Sequence, residues 1–168
     1  MGFTIVCLAR PDDDERVGEL LVRSFVETYA RKLPDVVVTE PRKHALRDMV
    51  GKRAIARVFV AQIEGVLAGT VAVWLPGTDG SEAWRANAAD LRQLAVDDAY
   101  RDGSISRALL DAAEADAKGS GAIEMCLHVR RGAAGVRRLY ERRGYVRDET
   151  GDLDHTPDVY LEGFFKRL

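Results

Sequence analysis

The sequence predicts one mixed α/β domain over residues 1–168. Its central sheet is mixed and mostly antiparallel, with about six to seven strands flanked by about four helices. Three observations lead there. A chain of 168 residues with 46% apolar and 31% charged side chains has the size and composition of one ordinary globular domain. Compact β-rich runs alternate with stretches whose apolar residues recur at helical spacing. The order of these runs, β-α-α-β-β-β-α-β-α-β-β, contains a hairpin, which is antiparallel, and a late strand-helix-strand unit, which requires a parallel crossover.

Taken in order, "FTIVCLA" is the first strand. "RPDDDERVGELLVRSFVETY" is a helix: its acids occupy the first turn, where the helix dipole favours them, and Asp12 with Glu15 suits a capping pair. Val17, Leu20, Leu21 and Phe25 form its apolar stripe. Thr39 caps a second helix, with Pro41 in the first turn and Gly51 as its stop. "ARVFVAQIEGVLAGTVAVWL" is a hairpin turning at Glu64-Gly65. "PGTDGSEAWRANAA" is a Gly-containing surface loop, and "DLRQLAV" returns as a strand. "GSISRALLDAAEADAKGSG" is a helix that buries Ile105, Ala108, Leu109, Ala112 and Ala113 and ends at Lys118-Gly119. "AIEMCLHV" is a strand, "AAGVRRLYERRG" a short helix, and "YVRDE" and "DVYLEGFFKRL" are closing strands.

The bulk properties exclude several classes of function. A net charge of −2 offers no electrostatic attraction to nucleic acid or anionic lipid, so neither is expected as a partner. The two cysteines, Cys7 and Cys126, are far apart and unclustered with histidine. They read as small buried hydrophobes in a reducing compartment, and no metal site is expected. "FTIVCLA" runs directly into "PDDDE", which is unlike a secretion signal, and no stretch reaches the ~20 apolar residues of a membrane span. The expected location is the cytoplasm.

The chemistry-bearing stretch is "AYRDGSISRALLDAAEAD", residues 99–116. A strand ending at Val96, a turn and a helix starting near Ser104 form an anion-binding arrangement, because the first-turn N–H groups and the helix dipole face the ligand. The stretch lacks the G-K-[ST] of a P-loop and the G-x-G-x-x-G of a dinucleotide fingerprint. "LRQLAVDDAYRDGSISRALLDAAEADAKGSG" instead resembles the cofactor segment of the GNAT superfamily of acyl-CoA-dependent N-acyltransferases: a strand with an L-x-V ending, a Y-R pair, then Q/R-x-x-G-x-G/A entering a helix. Leu94 and Val96 match the strand end, and Tyr100, Arg101 and Ile105 match the turn. "LHVRRGAAGVRRLYERRGYVR" resembles the family's next segment, through Leu139, Tyr140, Gly144 and Tyr145. The order of elements agrees along essentially the whole chain.

There are departures. Ser104 and Ser106 replace both motif glycines, Gly103 stands one position early, and Ala133 stands where Asn is common. A non-glycine at positive φ at position 104 would cost on the order of 1 kcal/mol. The grip itself rests on the backbone N–H groups of residues 103–107, which serine retains, and a serine hydroxyl adds a donor for a pyrophosphate oxygen.

The resemblance implies acetyl-CoA as co-substrate and an amine as acceptor. It places the cofactor against Leu94, Ala95, Val96, Arg101, Asp102, Gly103, Ser104, Ile105, Ser106, Arg107 and Tyr140. The thioester would lie where "DLRQLAV" and "AIEMCLHV" splay apart. The residues hint independently at a distortion: Leu91 and Leu94 break strict alternation, whereas Leu94 and Val96 keep it, as a β-bulge near Arg92-Gln93 produces. A backbone N–H freed there would polarise the thioester carbonyl. Tyr140 resembles the family tyrosine that protonates the departing thiolate, and Asp90 stands where members often carry a carboxylate base. His128 is a second candidate base. Arg137, Arg138, Arg142 and Arg143 surround Tyr140, mostly as a solvated face. Trp74 and Trp84 bracket the loop, either lining an acceptor pocket or packing at the sheet end. Relatives dimerise through sheet edges, and "DVYLEGFFKRL" is the candidate edge for a homodimer. A longer acyl donor and a catalytically silent acyl-CoA sensor are alternatives on the same fold.

Overall fold

The structure, a computed structural model, describes residues 2–33 and 37–168. The strands are β1 (Thr4–Leu8), β2 (Arg57–Ile63), β3 (Val66–Trp74), β4 (Ala88–Val96), β5 (Glu124–Arg130), β6 (Val146–Arg147), β7 (Leu153–His155) and β8 (Val159–Arg167). The α-helices are α1 (Asp14–Lys32), α2 (Glu40–Arg47), α3 (Met49–Ile55), α4 (Ser104–Gly119) and α5 (Ala134–Arg142). The fold is mixed α/β and mostly antiparallel: β4 pairs β5 in parallel, whereas β1/β2, β2/β3, β5/β8, β6/β8 and β7/β8 are antiparallel. Among the described residues no helix is long and apolar enough to cross a membrane. The chain divides into two compact units, one of residues up to Val73 with Gln93–Ala113, the other of Trp74–Arg92 with Glu114–Leu168. The division falls inside β4 and inside α4.

In the first unit β1 lies on β2, and β2 on β3. The hairpin turns on Glu64 (φ 51°) and Gly65 (φ 79°), the paired positive angles that match the right-handed twist of the flanking strands. Of the α1 stripe, Val17, Leu20 and Leu21 are at most 2% exposed, while Phe25 is only half-buried; each fully buried side chain contributes about 1.5–3 kcal/mol by leaving water. Its start differs from expectation. The Asp13 carboxylate, not an Asp12–Glu15 pair, accepts the Arg10 N–H at 2.8 Å, because Pro11–Asp13 form a 3₁₀ turn ahead of the helix.

Thr39 does cap α2, accepting the Arg42 N–H at 3.3 Å. Gly51 does not end the segment, however. Asp48 leaves helical geometry (ψ 76°), and its carboxylate accepts the Gly51 N–H at 3.0 Å, starting α3. A short acid competing for backbone N–H groups thus splits one expected helix into two. Ile105, Leu109, Leu110 and Ala113 form the buried face of α4, while Ala108 and Ala112 are only half-buried. A Cβ added at Gly69 of β3 would come within 2.9 Å of the Ala95 carbonyl and 2.8 Å of Ile105 Cγ2. That close approach fixes the start of α4 against the strands of this unit.

In the second unit β4 runs beside β5 from Ala88↔Glu124 to Leu91↔Leu127. On its other side β5 pairs with β8 along its full length. β8 also takes β6 and β7, so both of its sides are occupied and it is no free edge for a homodimer. β7, three residues long, was not expected from the sequence. Asp152 binds this end together: its carboxylate accepts from Arg147 (2.5 and 2.6 Å), the Gly163 N–H (2.8 Å) and the Tyr160 hydroxyl (2.7 Å). Against the burial that would raise it, these bonds hold the Asp152 carboxyl well below the usual carboxylate range. Both cysteines are free, and burial pushes the Cys126 thiol up to about 11.

Candidate active site

The turn expected to hold an anion belongs to the first unit. The positive φ lies at Gly103 (90°), while Ser104 opens α4 in helical geometry. The strain expected at position 104 is therefore absent: the glycine one place early takes the left-handed residue. The rest of the grip differs from expectation. Asp102 Oδ1 accepts the Ser104 N–H at 2.8 Å and the Ser104 hydroxyl at 2.6 Å. These bonds outweigh its desolvation and lower the Asp102 carboxyl below its ordinary range. The Ser106 hydroxyl donates to the Gly103 carbonyl at 3.1 Å, and the Arg107 N–H donates to the same carbonyl at 3.2 Å. Of the N–H groups expected to hold phosphate, those of Ile105 and Ser106 are the ones that helix geometry leaves without an intrahelical acceptor. Both serine hydroxyls are thus bonded to acceptors of the same turn. Arg101 is folded back on its own turn, its Nε 2.8 Å from Asp98 and 3.3 Å from the Val96 carbonyl. Arg107 is exposed.

The expected distortion of β4 is present. Gln93 has φ 58°, in mid-strand, where a side chain is strained by about 1–2 kcal/mol. Leu94 and Val96 follow half-buried, with Ala95 buried between them. The Asp97 N–H reaches the Ala68 carbonyl of β3 at 2.8 Å, and the Asp97 carboxylate holds Arg23 at 2.7 Å.

Tyr140 belongs to the second unit, on α5. The N-cap position is Ala133, which offers no side-chain cap. Tyr140 is 5% exposed, and burial holds its phenol above the ordinary tyrosine range, with Arg143 pulling weakly the other way. It is thus a proton donor throughout neutral pH. Its ring meets Tyr145 edge-on at 5.5 Å. The Tyr145 hydroxyl donates to Glu114 at 2.9 Å, and the same carboxylate takes Arg143 and Lys166. Arg143 is therefore a partner of Glu114. Arg138 and Arg142 are exposed, and Arg137 pairs with Glu141 at 2.8 Å.

Asp90 lies on the part of β4 paired to β5, opposite Cys126, and its side chain is fully buried. Its Oδ2 accepts the Glu82 N–H at 2.8 Å and Arg92 Nε at 2.7 Å. Asp90 Oδ2 thus fixes Arg92, whose guanidinium lies 4.4 Å over the Trp74 ring. Asp90 Oδ1, Trp74 Nε1 and Gln93 Oε1 are buried without a partner among the described residues. Each such group costs about 1–3 kcal/mol unless water or a ligand supplies the missing bond.

Glu82, in the loop before β4, was invisible as a candidate because nothing in the sequence pairs that loop with β5. Its Oε2 is 3.6 Å from Arg92 Nε and 4.0 Å from His128 Nδ1. His128 Nε2 is 2.8 Å from the Gly151 carbonyl, and the Trp84 ring is 5.2 Å from the imidazole. Trp84 itself donates to Asp148 at 2.9 Å. Both tryptophans thus pack within this unit, Trp84 beside the exposed Glu82.

The profile of the acetyltransferase (GNAT) family matches residues 15–145. The chain belongs to the GNAT acetyltransferase family. Solved structures carry the same fold. A GNAT-family acetyltransferase from Staphylococcus aureus Mu50 aligns over 99% of both chains at 16% identity with a TM-score of 0.74. The PaiA N-acetyltransferase of Thermoplasma acidophilum, solved in complex with coenzyme A, aligns over 99% of both chains at 19% identity and TM-score 0.73. A ribosomal-protein-alanine N-acetyltransferase from Brucella melitensis covers 98% of this chain and aligns over 99% of its own, at 19% identity and TM-score 0.66. No curated protein matches the chain.

Proposed function

We propose that the protein is an N-acetyltransferase that moves the acetyl group of acetyl-CoA to a primary amine of a small molecule or peptide, by direct attack in a ternary complex. The observation that carries this reading is Tyr140. A phenol kept protonated by burial stands on the helix bearing the family's Leu-Tyr pair, with the Gly144-Tyr145 pair just beyond its end. Binding would fall to the backbone of Leu94–Val96 and to the N–H groups of Ile105 and Ser106. A pyrophosphate competes with Asp102 for the Ser104 N–H. Acetyl-CoA supplies the activated acyl group; the chain's part is to orient it and to return a proton to sulfur from Tyr140.

Free thiol released from acetyl-CoA across a panel of amines tests the reading. Turnover with at least one amine is expected, and Tyr140→Phe lowers kcat by about 10²–10⁴-fold, the scale of a lost general acid, with acetyl-CoA binding retained. Unchanged turnover in Tyr140→Phe refutes the assignment. The self-capped Ser104 favours a second reading, an acyl-CoA-binding module without turnover, which stabilisation by acetyl-CoA with no thiol release from any amine would support.

A further inference from the structure

We infer that Glu114 is the positioning residue of Tyr140: it fixes the end of α5 and the Tyr145 ring against which the phenol is seated, and so sets where that phenol offers its proton. This rests on the transferase reading above. Among the described residues the Tyr140 hydroxyl has no hydrogen-bond partner, so no bond to its oxygen sets its direction. The seat of the ring sets it instead.

That seat is built where α5 ends. The Tyr145 N–H donates to the Tyr140 carbonyl at 3.0 Å and the Gly144 N–H to the Glu141 carbonyl at 3.0 Å, with Gly144 at φ 98°. These are the paired bonds of a Schellman end, which brings its outermost residue back onto the last turn of the helix. Here the Tyr145 ring meets the Tyr140 ring at 5.5 Å and 71°. Glu114, on the second-unit part of α4, ties this end down. Its carboxylate accepts the Tyr145 hydroxyl at 2.9 Å, Arg143 Nε at 3.1 Å, Arg143 Nη2, and from β8 Lys166 Nζ at 3.1 Å. Against the desolvation that would raise it, the bonds from Arg143, Tyr145 and Lys166 hold the Glu114 carboxyl below its ordinary range, so it stays ionised at neutral pH.

A carboxylate inside a fold is costly unless its oxygens are well bonded, and removing one member of such a cluster forces the others to move. Tyr145 is 3% exposed, so its hydroxyl needs the Glu114 oxygen as much as the carboxylate needs donors. Loss of Glu114 therefore shifts the very ring that touches Tyr140. Displacing a catalytic group by about 1 Å costs up to about 10²-fold in rate. In the step so served, the C–S bond breaks with its electron pair on sulfur and sulfur takes the Tyr140 proton. A proton lost from nitrogen as the amide forms restores the phenol. Glu114 itself exchanges no proton.

The test is a double-mutant cycle in kcat, with Glu114→Gln and Tyr140→Phe made singly and together and KM for acetyl-CoA measured in each. Glu114→Gln is expected to lower kcat by about 10–10²-fold with KM nearly unchanged. In the Tyr140→Phe background the same substitution lowers kcat little further, because its effect passes through the phenol. Tyr145→Phe keeps the ring and the ion pairs of Glu114, so it serves where Glu114→Gln fails to fold; it shows a smaller loss with the same dependence on Tyr140. Fully additive losses, a loss confined to KM, or unchanged kcat in Glu114→Gln and Tyr145→Phe overturns the positioning role while leaving the transferase reading standing. Unchanged turnover in Tyr140→Phe, or wild-type protein that releases no thiol from acetyl-CoA with any amine, overturns that reading, and the positioning role falls with it.

Discussion

Gly103→Ala probes the anion turn most sharply. Position 103 has φ 90° with nothing within 4 Å of an added Cβ, so the substitution brings no clash and tests backbone conformation alone. Forcing an L-residue left-handed costs about 1–2 kcal/mol. For a chain of 168 residues that corresponds to a fall of about 2–8 °C in Tm. If the turn relaxes instead, Ser104 loses its seat on Asp102, and the N–H groups of Ile105 and Ser106 turn away from their present direction. Acetyl-CoA affinity then falls by roughly 5–30-fold, the same free energy expressed in binding. Differential scanning calorimetry with titration of acetyl-CoA reads both. Restoring glycine to the motif position, in Gly103→Ser/Ser104→Gly, does not rescue, because Ser104 is helical and has no use for positive φ. A Gly103→Ala protein with wild-type Tm and wild-type affinity, or a fully rescued double variant, would refute the reasoning.

Ala133→Asp supplies the missing cap of α5 and raises stability by about 0.5–2 kcal/mol in denaturant unfolding; no gain would show that the Ala133 geometry does not admit a cap. Gly151→Ala drives a Cβ to 2.1 Å from the Trp84 ring, so it lowers Tm sharply and disturbs the indole fluorescence, a result opposite to that of a solvent-facing glycine. Asp148 is held down at about 2 by Thr150 and Trp84 first, against its partial burial. Since its carboxyl is harder to protonate folded than unfolded, its stabilisation is complete above pH 4 and is lost as pH falls from about 4 towards 2; Asp148→Asn removes that part of the acid limb in a pH-dependent melt.

Local rules made part of this architecture readable. The hairpin turn at Glu64-Gly65, the Thr39 cap, most of the α1 stripe and the distortion at Gln93 each follow from a few neighbouring residues. What was not readable depends on competition or on distance. Asp48 reads as an ordinary helix residue until its carboxylate takes the Gly51 N–H. Asp102 reads as a turn residue until its carboxylate takes the Ser104 N–H. β7 is too short for any period, and Asp152 gathers Arg147, Tyr160 and Gly163 from three separate places. The short helix that carries Tyr140 was legible because a motif marks it. The Glu82–His128 approach was not, since 46 residues of chain separate them.

The most direct test of the transferase account is addition of acetyl-CoA to the purified protein, following Tm and then free thiol on adding amines. The account predicts a clear rise in Tm, about 2.7 kcal/mol of stabilisation at a hundred times the dissociation constant, and amine-dependent thiol release. No rise at millimolar acetyl-CoA, with no thiol released, would contradict it.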